Sequence, residues 1–487
     1  MTMTLRDPDL FRQSAFIGGA WVAAASGSTI AVDDPATGAI IGTVPDCGEA
    51  ETAQAIAAAN AAFGPWRAMT AGERAAILER WHALVLDHVP DLGRIMTAEQ
   101  GKPLAEAEGE IRYAATFIKW FAEEGRRASG HDVAAPERDR RIFVMKEPVG
   151  VSAAITPWNF PAAMITRKCA PALAAGCPVI VKPSDLTPYT ALALARLAEM
   201  AGFPAGTINI LTGRPEAIGN ALTASPIVRK LSFTGSTRVG SLLLRQCADT
   251  VKRTSMELGG NAPLIVFDDA DLDLAVQSTM ISKFRNAGQT CVCANRILVQ
   301  DSVHDAFAAK LAKAVTALRV GPGDVVGSTV GPLINAAAAE KVKAHVDDAL
   351  SHGATLYASA ENNMAYERFV APTILTGANS AMRLASEETF GPVAPLFRFT
   401  HEEEGIELAN ATEYGLASYF YTDNIHRAFR VAERLEAGMV ALNTGSIAME
   451  MAPFGGVKMS GLGREGGRAG LEEYLESKAF HIAGLKL

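Results

Sequence analysis

The sequence predicts an α/β fold with two parallel sheets, each covered by helices, and a small β appendage. Three observations carry this. From Val149 to Ala248 short apolar runs alternate with helical stretches, and a second alternation begins near Ala262. Strands alternating with helices imply parallel sheets buried on both faces. The tail from Gly466, ending in SKAFHIAGL, is short and β-like.

Taken in order, residues 16–45 read as short strands and turns (FIGGAWVAA, then IAVDDPATGAIIGTVP). From Glu49 to about Arg126 the pattern is helical: EAETAQAIAAANAAF and ERAAILERWHALVLDHV place apolar residues three and four apart. HDVAAPERDRR then breaks the pattern, as a polar hairpin arm or loop. VGVSAAI, PVIVKP, TINILTG and VRKLSFTG read as strands. PAAMITRKCAPALAAG, YTALALARLAEMAG, EAIGNALTAS and STRVGSLLLRQCA are the helices between and after them. The second run is APLIVF, DLDLAVQSTMISKF, NRILVQ and DAFAAKLAKAVTAL. Ligands of parallel sheets bind beyond the carboxyl ends of the strands. The segments to inspect are therefore ITPWN, VKPSD, LTGRP, FTGST and MELGG.

Composition narrows the function classes. With 45 Lys and Arg against 53 Asp and Glu, the net charge is −8, which argues against a nucleic-acid surface. No apolar run approaches the ~20 residues of a membrane-spanning helix, and the N-terminal stretch lacks the apolar segment of a leader. The six cysteines form no evenly spaced framework, so a reducing cytoplasm is expected. No metal is expected either, because Cys291-x-Cys293 offers two ligands with no second pair at zinc spacing.

The chemistry concentrates around FRNAGQTCVCANR, residues 284–296. A free cysteine is most often an inert buried thiol, so its partners decide the matter. FTGSTRVG places Gly235 and Ser236 between a strand and a helix, where backbone amides can hold a phosphate or form a plain turn. VKPSD ends an apolar strand with Lys182 and, three residues on, Asp185, which together can bind both hydroxyls of a ribose. MELGGN offers Glu257, either a surface strand-end glutamate or, in apolar surroundings that would raise its pKa, a general base at neutral pH. PWNFP clamps Asn159 between two prolines, either as a plain turn residue or as a neutral donor for an oxyanion. GLGREG (461–466) matches a dinucleotide fingerprint, but no strand precedes it, and it reads as a turn.

Together PWNFP, VKPSD, FTGS, MELGGN, FRNAGQTC, EETFGP and PFGGVKMSGLGREG resemble, in order and spacing, the NAD(P)-dependent aldehyde dehydrogenase superfamily, and Cys-x-Cys its succinate-semialdehyde dehydrogenase branch. The resemblance implies a Rossmann-type cofactor domain (1–128 and 146–257), a catalytic domain (258–440) and a β oligomerisation flap (129–145 and 468–487), assembled as a homodimer or homotetramer. It makes Cys291 the nucleophile, Glu257 the base and Asn159 the oxyanion donor. It assigns cofactor contacts to Thr156, Pro157, Trp158, Lys182, Ser184, Asp185, Gly235, Ser236, Leu258, Glu388 and Phe390. Substrate contacts fall to Arg167, Arg285, Phe160 and Phe454, with the two arginines clamping a distal carboxylate. A structural ion pair is the competing role for Arg167. Cys293 is a candidate redox partner of Cys291, or else a small buried residue lining the loop.

One departure bears on the substrate. Branch members carry a serine in the loop before PFGG, whereas NTGSIAMEMAPFGG has Ala448 and Met449 there. The tail then differs from that of succinate semialdehyde: a longer chain, as in glutarate semialdehyde, or a sulfonate, as in sulfolactaldehyde. Asp185 repels a 2′-phosphate and favours NAD, with NADP as a second cofactor. Competing readings are a CoA-acylating dehydrogenase, disfavoured by Glu257, and a non-catalytic protein of this fold, disfavoured by the retained Cys291, Glu257 and Asn159.

Overall fold

The computed structural model describes residues 4–486. In the first half, strands Ile208–Ile210, Val179–Lys182, Val151–Ile155, Val228–Thr234 and Arg253–Glu257 lie side by side in that order, all parallel. Their residues are almost continuously buried, as expected of strands covered on both faces. From Val151–Ile155 the chain builds outward on one side, then returns to lay Val228–Thr234 on the other. The crevice at such a reversal is where ligands of these sheets bind. Thr156–Asn159 and Gly235–Ser236 follow directly from these two strands.

Antiparallel strands close the sheet at both ends: Ala15–Ile17 with Ala20–Val22, and Gly461–Leu462. The last corrects the expectation for GLGREG. Part of that segment is an edge strand paired with Met256 and Glu257, not only a turn. The backbones approach so closely that a side chain at Gly461 would fall 1.9 Å from the Met256 carbonyl oxygen. Glycine here reflects packing, not phosphate binding.

Every residue of the helix Ala163–Ala175 is buried, in one core with the helices Ala71–Asp87, Leu104–Glu124 and Tyr189–Ala201. Arg167 and Lys168 lie in this helix, so both cations are taken out of water and need partners.

The second half holds a sheet in the order Thr355–Ser359, Thr373–Ala378, Val393–Phe399, Ala294–Gln300, Ala262–Val266, Ala417–Tyr421, Met439–Leu442, parallel except for its first pair. A third, antiparallel sheet joins Leu475–Ile482 to Arg141–Pro148, with His131–Val133 outside. The polar stretch 131–141 thus forms a hairpin arm. Phe143, Met145 and Phe480 on this small sheet are exposed. No helix among the described residues is long and apolar enough to cross a membrane.

Candidate active site

A cavity of about 270 Å³ opens between the two halves. Pro157, Trp158, Asn159 and Phe160 line it from one strand end, and Gly235 and Ser236 from the next. Leu258, Cys291, Glu388 and Phe390 complete it.

The segment carrying Cys291 has an unusual backbone. After the helix Leu272–Phe284, residues Asn286, Ala287 and Gly288 have φ of 52°, 53° and 76°, three left-handed residues in succession. A Cβ on Gly288 would lie 2.3 Å from the Gly391 carbonyl oxygen, so this turn packs directly on the loop bearing Glu388 and Phe390. Gln289 is fully buried; its Nε2 donates to the Asn286 carbonyl (3.1 Å), and its Oε1 accepts from the Ile334 N–H (2.9 Å). Cys291 is half-buried beneath the cavity. Burial, then the Glu388 charge, push its thiol up to about 12, against the pull of Arg167. Cys293 is 3% exposed and its Sγ lies 3.5 Å from the Lys283 carbonyl oxygen. Both thiols are free.

Asn159 meets this segment across the cavity. Its Oδ1 accepts from the Phe160 N–H (3.1 Å) and its Nδ2 donates to the Gln289 carbonyl (3.1 Å). These two bonds fix which end of the amide is which and leave one N–H of Nδ2 unused. The Asn159 carbonyl accepts from Lys102 Nζ at 2.8 Å, and Lys102 is paired with Glu110 at 2.5 Å. Glu110 also accepts the N–H groups of Ala162 and Ala163 at the start of the buried helix.

Glu257 ends the strand Arg253–Glu257, is 3% exposed, and neither carboxylate oxygen has a hydrogen-bond partner. Burial first, then the Glu465 charge, raise its pKa well above the ordinary carboxylate range, opposed by Lys168, Arg167 and Arg464. Lys168 bonds Glu465 and donates to Thr234 Oγ1 (2.7 Å). Sequence reasoning missed this pair. Lys168 stood in plain view as one of two adjacent cations in a mostly apolar helix, and Glu465 lies in GLGREG. It likewise missed Lys102 and Glu110, which carry no local signal because they act from helices distant in sequence.

Along the sheet edge beyond the cavity lie Thr156, Lys182, Ser184 and Asp185. Thr156 Oγ1 is buried without a partner. Lys182 is 2% exposed, and Asp185 lies 4.0 Å from it, beyond hydrogen-bond reach. A buried ammonium with unspent donors beside an accessible carboxylate fits a ribose diol. Ser184 Oγ accepts from Leu186 N–H, and Ser236 caps the helix Thr237–Ala248 through Val239 N–H. On the cavity's other wall Glu388 accepts from Gly260 N–H (3.2 Å), and burial raises its carboxyl to about 7. Phe390, held at φ 56°, meets Trp158 edge-on with ring centres 5.6 Å apart. These residues fit a dinucleotide lying across the sheet edge.

The two arginines differ sharply. Arg167 is 1% exposed; Nη2 donates to the Tyr113 hydroxyl (2.8 Å), Nη1 lies 3.6 Å from Glu465, and the guanidinium covers the Phe454 ring at 4.0 Å. Only Nε is without a partner. Arg285 is exposed, stacks on Phe160 at 5.0 Å, and has no hydrogen bond or ion pair among the described residues. Ile447 and Ala448 border the same hydrophobic cluster as Cys291 and Phe454.

The aldehyde dehydrogenase family model matches residues 21–480. The chain is 58% identical over 483 residues to a 3-sulfolactaldehyde dehydrogenase of Pseudomonas putida, covering 99% of each chain. It is 57% identical over 481 residues to a glutarate-semialdehyde dehydrogenase of the same species, covering 99% of this chain and all of the relative. A crystal structure of succinate-semialdehyde dehydrogenase from Burkholderia pseudomallei superposes with a TM-score of 0.98 at 59% identity, covering 99% of this chain and 100% of the other.

Proposed function

The chain belongs to the aldehyde dehydrogenase family, and from that premise we propose that it oxidises an aldehyde with an anionic tail to the carboxylic acid through a Cys291 thioester. It is an NAD(P)-dependent oxidoreductase. The observation that carries the substrate class is Arg285: a free guanidinium, stacked on a residue of the cavity wall, with its donors open to a carboxylate or sulfonate.

The residues divide the work. A thiol pushed up to about 12 is not a standing nucleophile at neutral pH, so its proton leaves as sulfur meets the carbonyl carbon. Glu257, buried and without hydrogen-bonded partners, is the group to receive it. The unused Asn159 N–H and the Cys291 backbone N–H donate to the oxyanion that forms. A nicotinamide dinucleotide held along Lys182, Asp185, Ser236, Glu388 and Phe390 would supply the hydride acceptor that this oxidation needs. Glu257, having passed the thiol proton to solvent, then activates the water that attacks the thioester carbonyl; the Cys291 sulfur leaves, takes up a proton, and the acid is released. That step distinguishes hydrolysis from transfer to CoA.

Asp185 beside Lys182 favours NAD, since a carboxylate accepts from a 2′-hydroxyl and repels a 2′-phosphate. Ala448 and Met449 supply no hydroxyl to the tail, which favours a longer carboxylate or a sulfonate over succinate semialdehyde. The exposed apolar residues of the small antiparallel sheet support a homodimer or homotetramer, and the free thiols support a cytoplasmic location. A panel of neutral, carboxylated and sulfonated aldehydes of matched length tests the reading. It predicts the highest kcat/KM on anionic substrates with NAD; equal kcat/KM on neutral substrates contradicts it.

A further inference from the structure

We propose that Asn286 is a positioning residue for the chemistry at Cys291. Its side-chain amide is a strut between the Asn159 and Gln289 carbonyls, and Gln100 braces it from behind. The inference rests on the oxyanion role proposed for Asn159.

Asn286 is 2% exposed and its amide is saturated. Nδ2 donates to the Asn159 carbonyl at 3.0 Å and to the Gln289 carbonyl at 3.2 Å. Oδ1 accepts from Gln100 Nε2 at 2.9 Å. Gln100, fully buried, accepts in turn from the Lys102 N–H (3.0 Å), and Lys102 Nζ returns to the Asn159 carbonyl (2.8 Å). The bonds close into a ring through Gln100, Asn286, Asn159 and Lys102. A second, smaller ring shares one edge with it: Asn286 and Asn159 both donate to the Gln289 carbonyl. The Asn159 amide is therefore aimed by a carbonyl that Asn286 holds.

The backbone explains why a strut is needed. A left-handed conformation is costly for Ala287, and three such residues in a row persist only if their surroundings over-determine them. Asparagine is among the few side chains that tolerate it. Glu106, accepting the Asn286 N–H at 2.8 Å, holds the turn from outside. The turn spans both halves of the molecule, so its geometry sets where Asn159 of one half stands relative to Cys291 of the other.

Asn286→Asp tests this with almost no change of shape. Two donors become acceptors facing two carbonyls. A shift of about an ångström in a catalytic group costs about 100-fold in rate, and that loss of kcat is expected, with KM for NAD unchanged. A carboxyl buried against carbonyls stays protonated to higher pH, and its O–H can then donate to one of them. The ratio of variant to parental kcat is therefore expected to rise as pH falls. The charged groups facing the turn (Lys102, Glu106, Glu110 and Arg285) are common to both proteins. Gln100→Glu removes only the brace; it is expected to give a smaller loss with the same pH trend, and it carries the test should Asn286→Asp not fold. Parental kcat in the variants while Asn159→Ala loses turnover overturns the strut and leaves the site reading standing. A loss shared by kcat and NAD affinity and flat with pH also overturns it, marking a merely structural role. Parental turnover in Asn159→Ala overturns both readings.

Discussion

On the side of Cys291 proposed to hold the cofactor, Trp158, Asn159, Gly235 and Ser236 stand just beyond the ends of two neighbouring parallel strands, and Glu388 and Phe390 just before a third. On the side proposed to hold the substrate's tail, Arg167 projects from a fully buried helix, Arg285 from a left-handed turn, and Phe454 from a loop that pairs with Glu465. The first wall is laid down by sheet topology, the second by packing of distant segments. The contrast separates what the two walls can vary. On the proposed reading, shifting a strand-end residue disturbs the reaction, whereas exchanging the free Arg285 changes which aldehyde fits and exchanging the buried Arg167 disturbs packing.

The sharpest way to break this contrast is at the chemistry itself. Glu257→Gln should lower kcat by roughly 10²- to 10⁴-fold for every aldehyde alike, the usual contribution of a general base. Because burial raises the Glu257 carboxyl, its base form fills only as pH climbs above the ordinary carboxylate range. Parental kcat/KM should accordingly rise with pH through that carboxyl's titration, and the limb should flatten in Glu257→Gln. A limb that survives the substitution assigns the base elsewhere.

A smaller and selective effect is expected at Arg285. Hydrogen bonds to charged groups contribute about 1.5–3 kcal/mol, so Arg285→Ala should raise KM for an ω-anionic aldehyde about 10- to 100-fold, and KM for a neutral one of equal length little. Arg167 should behave otherwise. Its Nη2 is engaged by Tyr113 and its buried charge faces Glu465, so Arg167→Ala should lower Tm and depress turnover of both substrates together. Substrate-selective KM effects at Arg167 would return it to the tail clamp. The mildest change is expected at the outer edge of the cofactor wall. Asp185→Ser removes a repelling charge and should move the NADP-to-NAD ratio of kcat/KM toward NADP by about 10-fold, about 1.4 kcal/mol; an unmoved ratio would place discrimination elsewhere.

The same contrast decides what could be read from the sequence. Strand ends were legible because apolar runs punctuated by Pro and Gly mark them, and the motifs there carry their chemistry locally. Glu257 and Asn159 lie at or just beyond such ends, but it was the family resemblance that gave them and Cys291 their roles; the cavity gathers Cys291 and Asn159 with Trp158, Glu388 and Phe390. The supports did not stand out. Nothing near Lys102 announces that it will reach the Asn159 carbonyl, and Glu465 was hidden in a segment read as a turn. The two arginines looked alike in sequence. Only the burial of one helix and the exposure of one turn tell them apart, and both follow from long-range packing.

The central claim is that sulfur at position 291 becomes acylated while Glu257 waits to hydrolyse the product. Intact-mass and peptide analysis of Glu257→Gln, followed over a long incubation with NAD and an ω-anionic aldehyde, addresses it directly. Because Glu257 also takes the thiol proton, the adduct is expected to form slowly and then persist: no more than one NADH per active chain, with a matching acyl adduct confined to Cys291. NADH formation with Cys291 unmodified, or with the adduct on another residue, would contradict it.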